Sequence, residues 1–266
     1  MTTQTEDKIY SMRAGLIVLL AFFSFHTHSR NLTIAFIDTN FCLEKSLKVE
    51  NVIINKAIDA TNSNSSTCVD YSKTSRKYHA QQVLNNFLSK LSTNRALTIQ
   101  PITVFDKNGQ QKKSYWKRAL KNQKDYDVIV MAAGLIEAIG PKITTPILVA
   151  GATYGKGIKK TTKVWPQSEF SNPLIITIGS YLEANDDLGT RADFNLIHED
   201  QMKFFFSSGP ENSPLQGTSR AVSSAAARAI KICRDAIVKK RSLYKCLKKR
   251  SRKIKLSERS SSVLSF

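Results

Sequence analysis

The chain has 266 residues, a length that suits one large domain or two small ones, and we expect one. Hydrophobic residues make up 41% of it, enough for a sizeable core, and the formal net charge is +19. Beyond residue 29 only two histidines remain and no Cys-x-x-Cys motif occurs, so no zinc site is indicated.

The first predicted element is an apolar segment near the amino terminus. Met12-Arg13 precedes the apolar run from Ala14 to Phe25, and small and polar residues follow up to Ser29. A basic start, an apolar middle and a small-residue end are typical of a secretory signal, and the run is short for a membrane span. We therefore expect residues 1–29 to be a signal peptide of a secreted or periplasmic protein, with an uncleaved membrane anchor as the alternative.

Two segments then supply candidate functional side chains. Asn31 to Asp38 is a nearly continuous apolar run that ends on a carboxylate, as expected for a buried parallel strand with its site at the carboxyl end. His79 opens a predicted helix, in whose first turn the dipole favours the neutral imidazole, a usable base. The helix follows from one apolar face, formed by Val83, Leu84, Phe87, Leu88 and Leu91.

The middle of the chain alternates strands and helices, which predicts an α/β sheet. Leu97 to Val104 is a predicted strand, although Pro101 argues for an edge position or a break. Ser114 to Asn122 is predicted to be an amphipathic helix that leads to a strand beginning at Asp127.

Near the end of this region, a small-residue turn, Gln216 to Ala221, precedes an alanine-rich helical segment from Ser223 to Ile237. A serine at a helix start is surrounded by backbone N–H groups without intrahelical partners and faces the positive end of the dipole. These are the needs of an acyl-transfer nucleophile, and Ser219 is our candidate. A plain helix-capping role for Thr218 or Ser219 is the alternative.

These motifs resemble those of the subtilisin-like serine proteases (subtilases), from about Asn31 to about Ile237. Ile34 to Thr39 is similar to the family's aspartate strand, with Asn40 where a glycine is usual. Residues 217–221, Gly-Thr-Ser-Arg-Ala, are similar to its Gly-Thr-Ser-x-Ala motif, and the order Asp, His, Ser is the subtilisin order. The segment His79-Ala80-Gln81-Gln82-Val83 keeps only the histidine and the valine of the family's His-Gly-Thr-His-Val.

The resemblance implies a three-layer subtilisin-like α/β fold, with a mainly parallel central sheet flanked by helices. It further implies a catalytic triad of Asp38, His79 and Ser219. Thr153 stands where the family has its oxyanion asparagine. The strand that pairs with substrate would be formed by Ala132, Ala133 and Gly134.

The function expected from this resemblance is that of a secreted serine endopeptidase acting on polypeptides through an acyl-enzyme, without cofactor or metal. The reduced histidine motif and the threonine at the oxyanion position favour an alternative, a catalytically impaired subtilase-like protein that binds peptides or partner proteins. A threonine that only partly reaches the oxyanion would predict a slow enzyme.

Cysteine spacing favours the pairs Cys42–Cys68 and Cys233–Cys246, although other pairings and free thiols remain possible. We expect a peptidase domain over residues 30–238 and a basic carboxy-terminal tail over 239–266. The tail has eleven Lys or Arg against one Glu, which suits a solvated extension or one that adheres to acidic surfaces or anionic lipid. No motif indicates specific nucleic-acid binding. Four apolar residues are interpreted as too sparse for a core, namely Leu243, Leu247, Ile254 and Leu256.

Overall fold

A strand buried on both faces, β1 (Leu32–Asp38), lies in the interior of the central sheet. The computed structural model describes residues 30–62, 78–137, 140–152, 159, 161–184, 187–192, 201–209, 213–256 and 259–264. The predicted signal, Cys68 and Thr153 lie outside these ranges, and predictions about them stay predictions. The fold described below is that of the unit Asn31–Phe266.

The elements alternate along the chain as the sequence predicts for an α/β protein. The other strands are β2 (Val52–Ile54), β3 (Ile58–Asp59), β4 (Leu97–Thr103), β5 (Val128–Met131), β6 (Ile147–Ala150), β7 (Ile175–Ala184), β8 (Asp187–Ala192), β9 (Phe204–Ser207), β10 (Ser251–Leu256) and β11 (Arg259–Leu264). The α-helices are α1 (His79–Lys90), α2 (Lys113–Ala119), α3 (Gly217–Val238) and α4 (Leu243–Arg250).

The strands form one sheet in the order β10-β11-β9-β7-β6-β5-β1-β4-β2, with β3 against β4 and β8 against β7. Among the described strand pairs of the sheet, only β7–β8 and β10–β11 are antiparallel, so the sheet is mainly parallel. An isolated antiparallel bridge joins Leu135 to Trp165 outside these strands. The predicted α/β class with a mainly parallel sheet flanked by helices is confirmed. Among the described helices, none has the length and apolar character needed to cross a membrane.

Residues of β1 alternate between two cores, one on each face of the sheet, because successive side chains of a strand point to opposite faces. Ile34 and Phe36 belong to the core under α1, α3 and α4, where the Phe36 ring contacts Phe87 with centroids 4.9 Å apart. Ala35 and Ile37 belong to the core under α2. Burial on both faces explains the nearly continuous apolar run in the sequence.

Pro101 lies within β4, which is an interior strand rather than an edge. On the side away from β1, however, β4 pairs with β2 up to Ile99 and with β3 from Ile102 onward, so the proline falls at a break in the pairing. The buried Gln100 side chain spans this break, donating to the Lys56 carbonyl at 2.9 Å and accepting from the Asn55 amide at 3.2 Å. Strand β4 is therefore neither an edge strand nor broken at Pro101, and the interruption lies only in its pairing on this side.

The carboxy-terminal segment differs from the predicted tail. Leu243 and Leu247 are buried in the same core as α1 and α3, and a disulfide joins Cys233 of α3 to Cys246 of α4. The prediction that these leucines contribute to no core is wrong, because residues four apart share one helical face and the disulfide holds that face against α3. Cys42 is also disulfide-bonded.

Candidate active site

The three predicted catalytic residues lie at the point where the order of the strands changes direction. After β1 the chain adds β2, β3 and β4 on one side, and it then crosses to add β5, β6, β7 and β9 on the other. Sites of open parallel sheets lie outside the carboxyl ends of the strands at such a point. Asp38, the last residue of β1, occupies this position.

The Asp38 carboxylate is buried and held by its own backbone surroundings, with its side chain 3% exposed. Its Oδ1 accepts a hydrogen bond from the Thr39 N–H at 2.7 Å, and its carbonyl accepts one from the Val104 N–H at 3.0 Å. The second carboxylate oxygen has no hydrogen-bond partner among the described residues. Oδ1 is therefore the atom that fixes the orientation of the imidazole.

His79 is the first residue of α1 and lies between the other two side chains. Its Nδ1 is 3.1 Å from Asp38 Oδ1, and its Nε2 is 3.0 Å from Ser219 Oγ. A carboxylate can only accept, so Nδ1 carries the proton and donates, while Nε2 of the neutral ring accepts from the hydroxyl. The imidazole is 13% exposed, so part of the ring is accessible to solvent.

Thr39 connects the aspartate to the histidine helix, and the sequence analysis assigned it no role. Its hydroxyl accepts a hydrogen bond from the Ala80 N–H at 3.2 Å, so it satisfies one of the unpaired donors in the first turn of α1. The residue that precedes this helix, Tyr78, has a left-handed backbone and provides no side-chain cap. Thr39 therefore positions the start of α1 against the end of β1.

Ser219 lies in the first turn of α3, at a helix start that no side chain caps. The preceding residue, Gln216, is extended and makes no capping hydrogen bond, and Gly217 has φ 66°, a conformation that glycine adopts readily. Residues at this point have N–H groups without intrahelical acceptors. The Ser219 N–H is therefore one of these donors, at the positive end of the α3 dipole and on the same residue as the hydroxyl.

An asparagine that the sequence analysis did not single out, Asn86, fixes α1 against α3. Its side-chain amide donates to Ser223 Oγ at 2.7 Å and to Ser224 Oγ at 2.9 Å, both on α3. A longer contact of 3.4 Å reaches the carbonyl of Arg220. We call these contacts the Asn86 clamp. The clamp joins the helix that carries His79 to the helix that carries the serine.

Ala132, Ala133 and Gly134 follow directly after β5 and belong to none of the described strand pairs. The Gly134 carbonyl accepts from the Gln111 side chain at 2.9 Å. A Cβ at Gly134 would lie 2.5 Å from a Val164 side-chain carbon, so a larger residue there would have to displace the Val164 and Gln167 side chains. Residues 132–134 therefore lie at the carboxyl end of β5, the strand that pairs with β1.

The expected oxyanion residue Thr153 lies outside the described residues, so no contact of its side chain enters the description. Gly151 and Ala152, which precede it, continue from β6, and the Gly151 N–H donates to the Ile178 carbonyl at 2.7 Å. Within the described part of the chain, no group of three His, Cys, Asp or Glu side chains could hold a metal ion.

Comparisons with known proteins add no family assignment. No model of a known protein family matches this sequence, and no curated protein matches it at a significant level.

Proposed function

We propose that the protein is a serine endopeptidase of subtilisin type. The observation that carries the proposal is the continuous contact from Asp38 Oδ1 through His79 to Ser219 Oγ, with both distances close to 3 Å. Three residues that are 41 and 140 positions apart converge in the order carboxylate, imidazole, hydroxyl. This is an arrangement by which a serine hydroxyl is activated as a nucleophile.

In the proposed reaction, Ser219 Oγ attacks the carbonyl carbon of the scissile peptide bond while His79 Nε2 takes the hydroxyl proton. The imidazolium then gives this proton to the leaving amine, and an acyl-enzyme remains. Water attacks the ester in the second half, again with His79 as base, and releases the carboxylic acid and the serine. Asp38 keeps the proton on Nδ1 and stabilises the imidazolium in each half.

The surroundings of the triad suit an acyl-transfer site. The uncapped N–H groups at the start of α3 are donors for the oxyanion, with Thr153 as the proposed second donor. The stretch 132–134 is proposed to pair with an extended substrate by backbone hydrogen bonds, as a strand does. A polypeptide is therefore the proposed substrate. Secretion, and adhesion of the basic carboxy-terminal segment to acidic surfaces, belong to the same proposal.

The test is covalent labelling of the folded protein by a serine-directed fluorophosphonate. Ser219→Ala and His79→Ala should abolish labelling, while Ser92→Ala, a change at an exposed serine that follows α1, should leave it intact. Asp38→Asn should reduce the labelling rate by about 10⁴-fold, since the ring then loses its correct tautomer. Labelling that persists in Ser219→Ala would refute the assignment of the nucleophile.

Two departures from the family's motifs favour the second candidate, a protein of the same fold that binds peptides without cleaving them. The histidine motif keeps only His79 and Val83, and Thr153 stands where the family has its oxyanion asparagine. Its distinguishing result is a folded wild-type protein that binds an extended peptide but is not labelled by the fluorophosphonate. Labelling together with peptide cleavage would exclude it.

A further inference from the structure

A cavity of about 550 Å³ lies at the end of the sheet where the parallel strands begin, opposite the end that carries the triad. Its walls include Asp127, Pro146 and Leu174, which precede β5, β6 and β7 and so mark the amino ends of these strands. Asp38 lies at the carboxyl end of β1, which runs parallel to β5. The cavity is therefore separate from the proposed active site, and its volume falls within the range of about 300–1,000 Å³ usual for small-molecule sites.

The floor of the cavity is apolar. Ile176 of β7, Ile237 at the end of α3 and Leu243 at the start of α4 meet there, and Leu174 and Pro146 extend the apolar surface. Three of these side chains, those of Ile176, Ile237 and Leu243, belong to the buried core. The disulfide that joins α3 to α4 holds the two helices that form one wall. An alkyl chain is the kind of group that gains from leaving water for such a surface.

The rim of the cavity is cationic. Four basic side chains line it, Lys124, Lys240, Arg241 and Lys245, and all four residues are exposed. None of them forms an ion pair with a carboxylate among the described residues. The acidic residue of the lining is Asp127, whose carboxylate already accepts from the Thr33 N–H at 2.9 Å. The cavity therefore has an apolar floor and a rim of net positive charge.

Two further features of the rim favour an anion. The first turn of α4 faces the cavity through Ser242 to Lys245, so the positive end of this helix dipole adds to the four charges. Tyr126 also lines the cavity, and burial, followed by the charge of Asp125, raises the pKa of its phenol. A phenol is protonated at neutral pH whether or not its pKa is raised, so the Tyr126 hydroxyl is available to donate to a carboxylate.

We propose that this cavity binds a small anionic amphiphile, a molecule with one carboxylate head and an alkyl chain such as a fatty acid. The apolar floor takes the chain, and the cations of the rim take the head. The proposal is independent of the peptidase proposal, because the cavity shares no residue with the triad.

The test is a titration of the full chain with dodecanoate, kept below its micelle-forming concentration. We expect saturable binding of one molecule per protein, and much weaker binding of dodecanol, which lacks the charge, and of acetate, which lacks the chain. Binding of dodecanol as tight as that of dodecanoate would overturn the role of the cationic rim. Binding that does not saturate at one molecule would overturn the site itself.

Variants locate the site. Arg241→Glu with Lys245→Glu should weaken dodecanoate binding by at least about tenfold, because attraction at the rim becomes repulsion. Lys248→Glu with Lys249→Glu is the matched control, since it makes the same change of charge on α4 outside the cavity, and it should bind as the wild type does. Thr144→Trp, at an exposed position of the lining, should block the cavity without changing the charge. Equal losses in both charge variants, or full binding by Thr144→Trp, would refute the proposal.

Discussion

The Asn86 clamp offers a direct test of how the fold positions the proposed active site. Asn86→Ala removes two short hydrogen bonds to Ser223 and Ser224 and leaves both hydroxyls buried with fewer partners. Each such bond contributes about 0.5–1.5 kcal/mol, so the free energy of unfolding should fall by about 1–3 kcal/mol. Because α1 would then be free to shift relative to α3, the labelling rate of Ser219 should fall by about tenfold or more.

The neighbouring residue provides the matched control. Asn85 is also on α1, and its side chain bonds Leu47, Gln81 and Lys45 but nothing on α3 among the described residues. Asn85→Ala should therefore lower the free energy of unfolding without slowing the labelling of the folded protein.

Denaturant unfolding gives the stability of both variants, and the time course of fluorophosphonate labelling gives the rate. A double-mutant cycle of Asn86→Ala with Ser224→Ala should return a coupling energy of about 1 kcal/mol. Equal labelling rates in Asn86→Ala and Asn85→Ala would refute the positioning role of the clamp.

Three other perturbations follow from the structure. Thr39→Val removes the hydroxyl that accepts the hydrogen bond of the Ala80 N–H and should lower the free energy of unfolding by about 1 kcal/mol. Thr39→Ser keeps the hydroxyl and should keep the wild-type stability, and equal losses in both variants would contradict this role. Replacing Cys233 and Cys246 by serine opens a loop with a sequence separation of 13 and should lower the free energy of unfolding by about 3 kcal/mol. A smaller loss than that of Thr39→Val would argue against a stabilising role of this disulfide. Burial lowers the pKa of Lys203 in the folded protein below 10.5. Between the folded and the unfolded pKa the unfolded chain binds more protons, so the stability of the wild type relative to Lys203→Met should rise with pH toward 10.5. A stability difference that does not change with pH would contradict this.

Local patterns were sufficient to predict the elements that carry the triad. The run ending at Asp38 indicated a strand buried on both faces, and the helical face after His79 matches the buried side of α1. The helix start predicted near Ser219 is present, although α3 begins at Gly217, within the segment 216–221 that was predicted to be a turn. Each of these signals is a pattern of a few neighbouring residues, so it can be recognised in one sequence without knowledge of the fold.

Contacts between distant residues could not be predicted in this way. Asn86 and Ser223 are 137 positions apart, and neither lies in a recognisable motif. Leu243 and Leu247 stand among basic residues, and their burial depends on where the disulfide places α4 relative to α3. The average composition of this segment predicts a solvated tail, whereas two apolar side chains on one helical face and the disulfide together dock it against α3.

The interior position of β1 has a consequence for hydrogen exchange and limited proteolysis. The strand is bonded to β4 on one side and to β5 on the other, so its amides should exchange only when the whole sheet opens. The hairpin β10–β11, by contrast, joins the described sheet through one registered pair, Val263 and Phe205. The amides of β10 and β11 should therefore exchange first. A proteolytic nick between these two strands should leave the geometry around Asp38 intact, so the contacts of Asp38 should be lost on global unfolding and not on opening of β10 and β11.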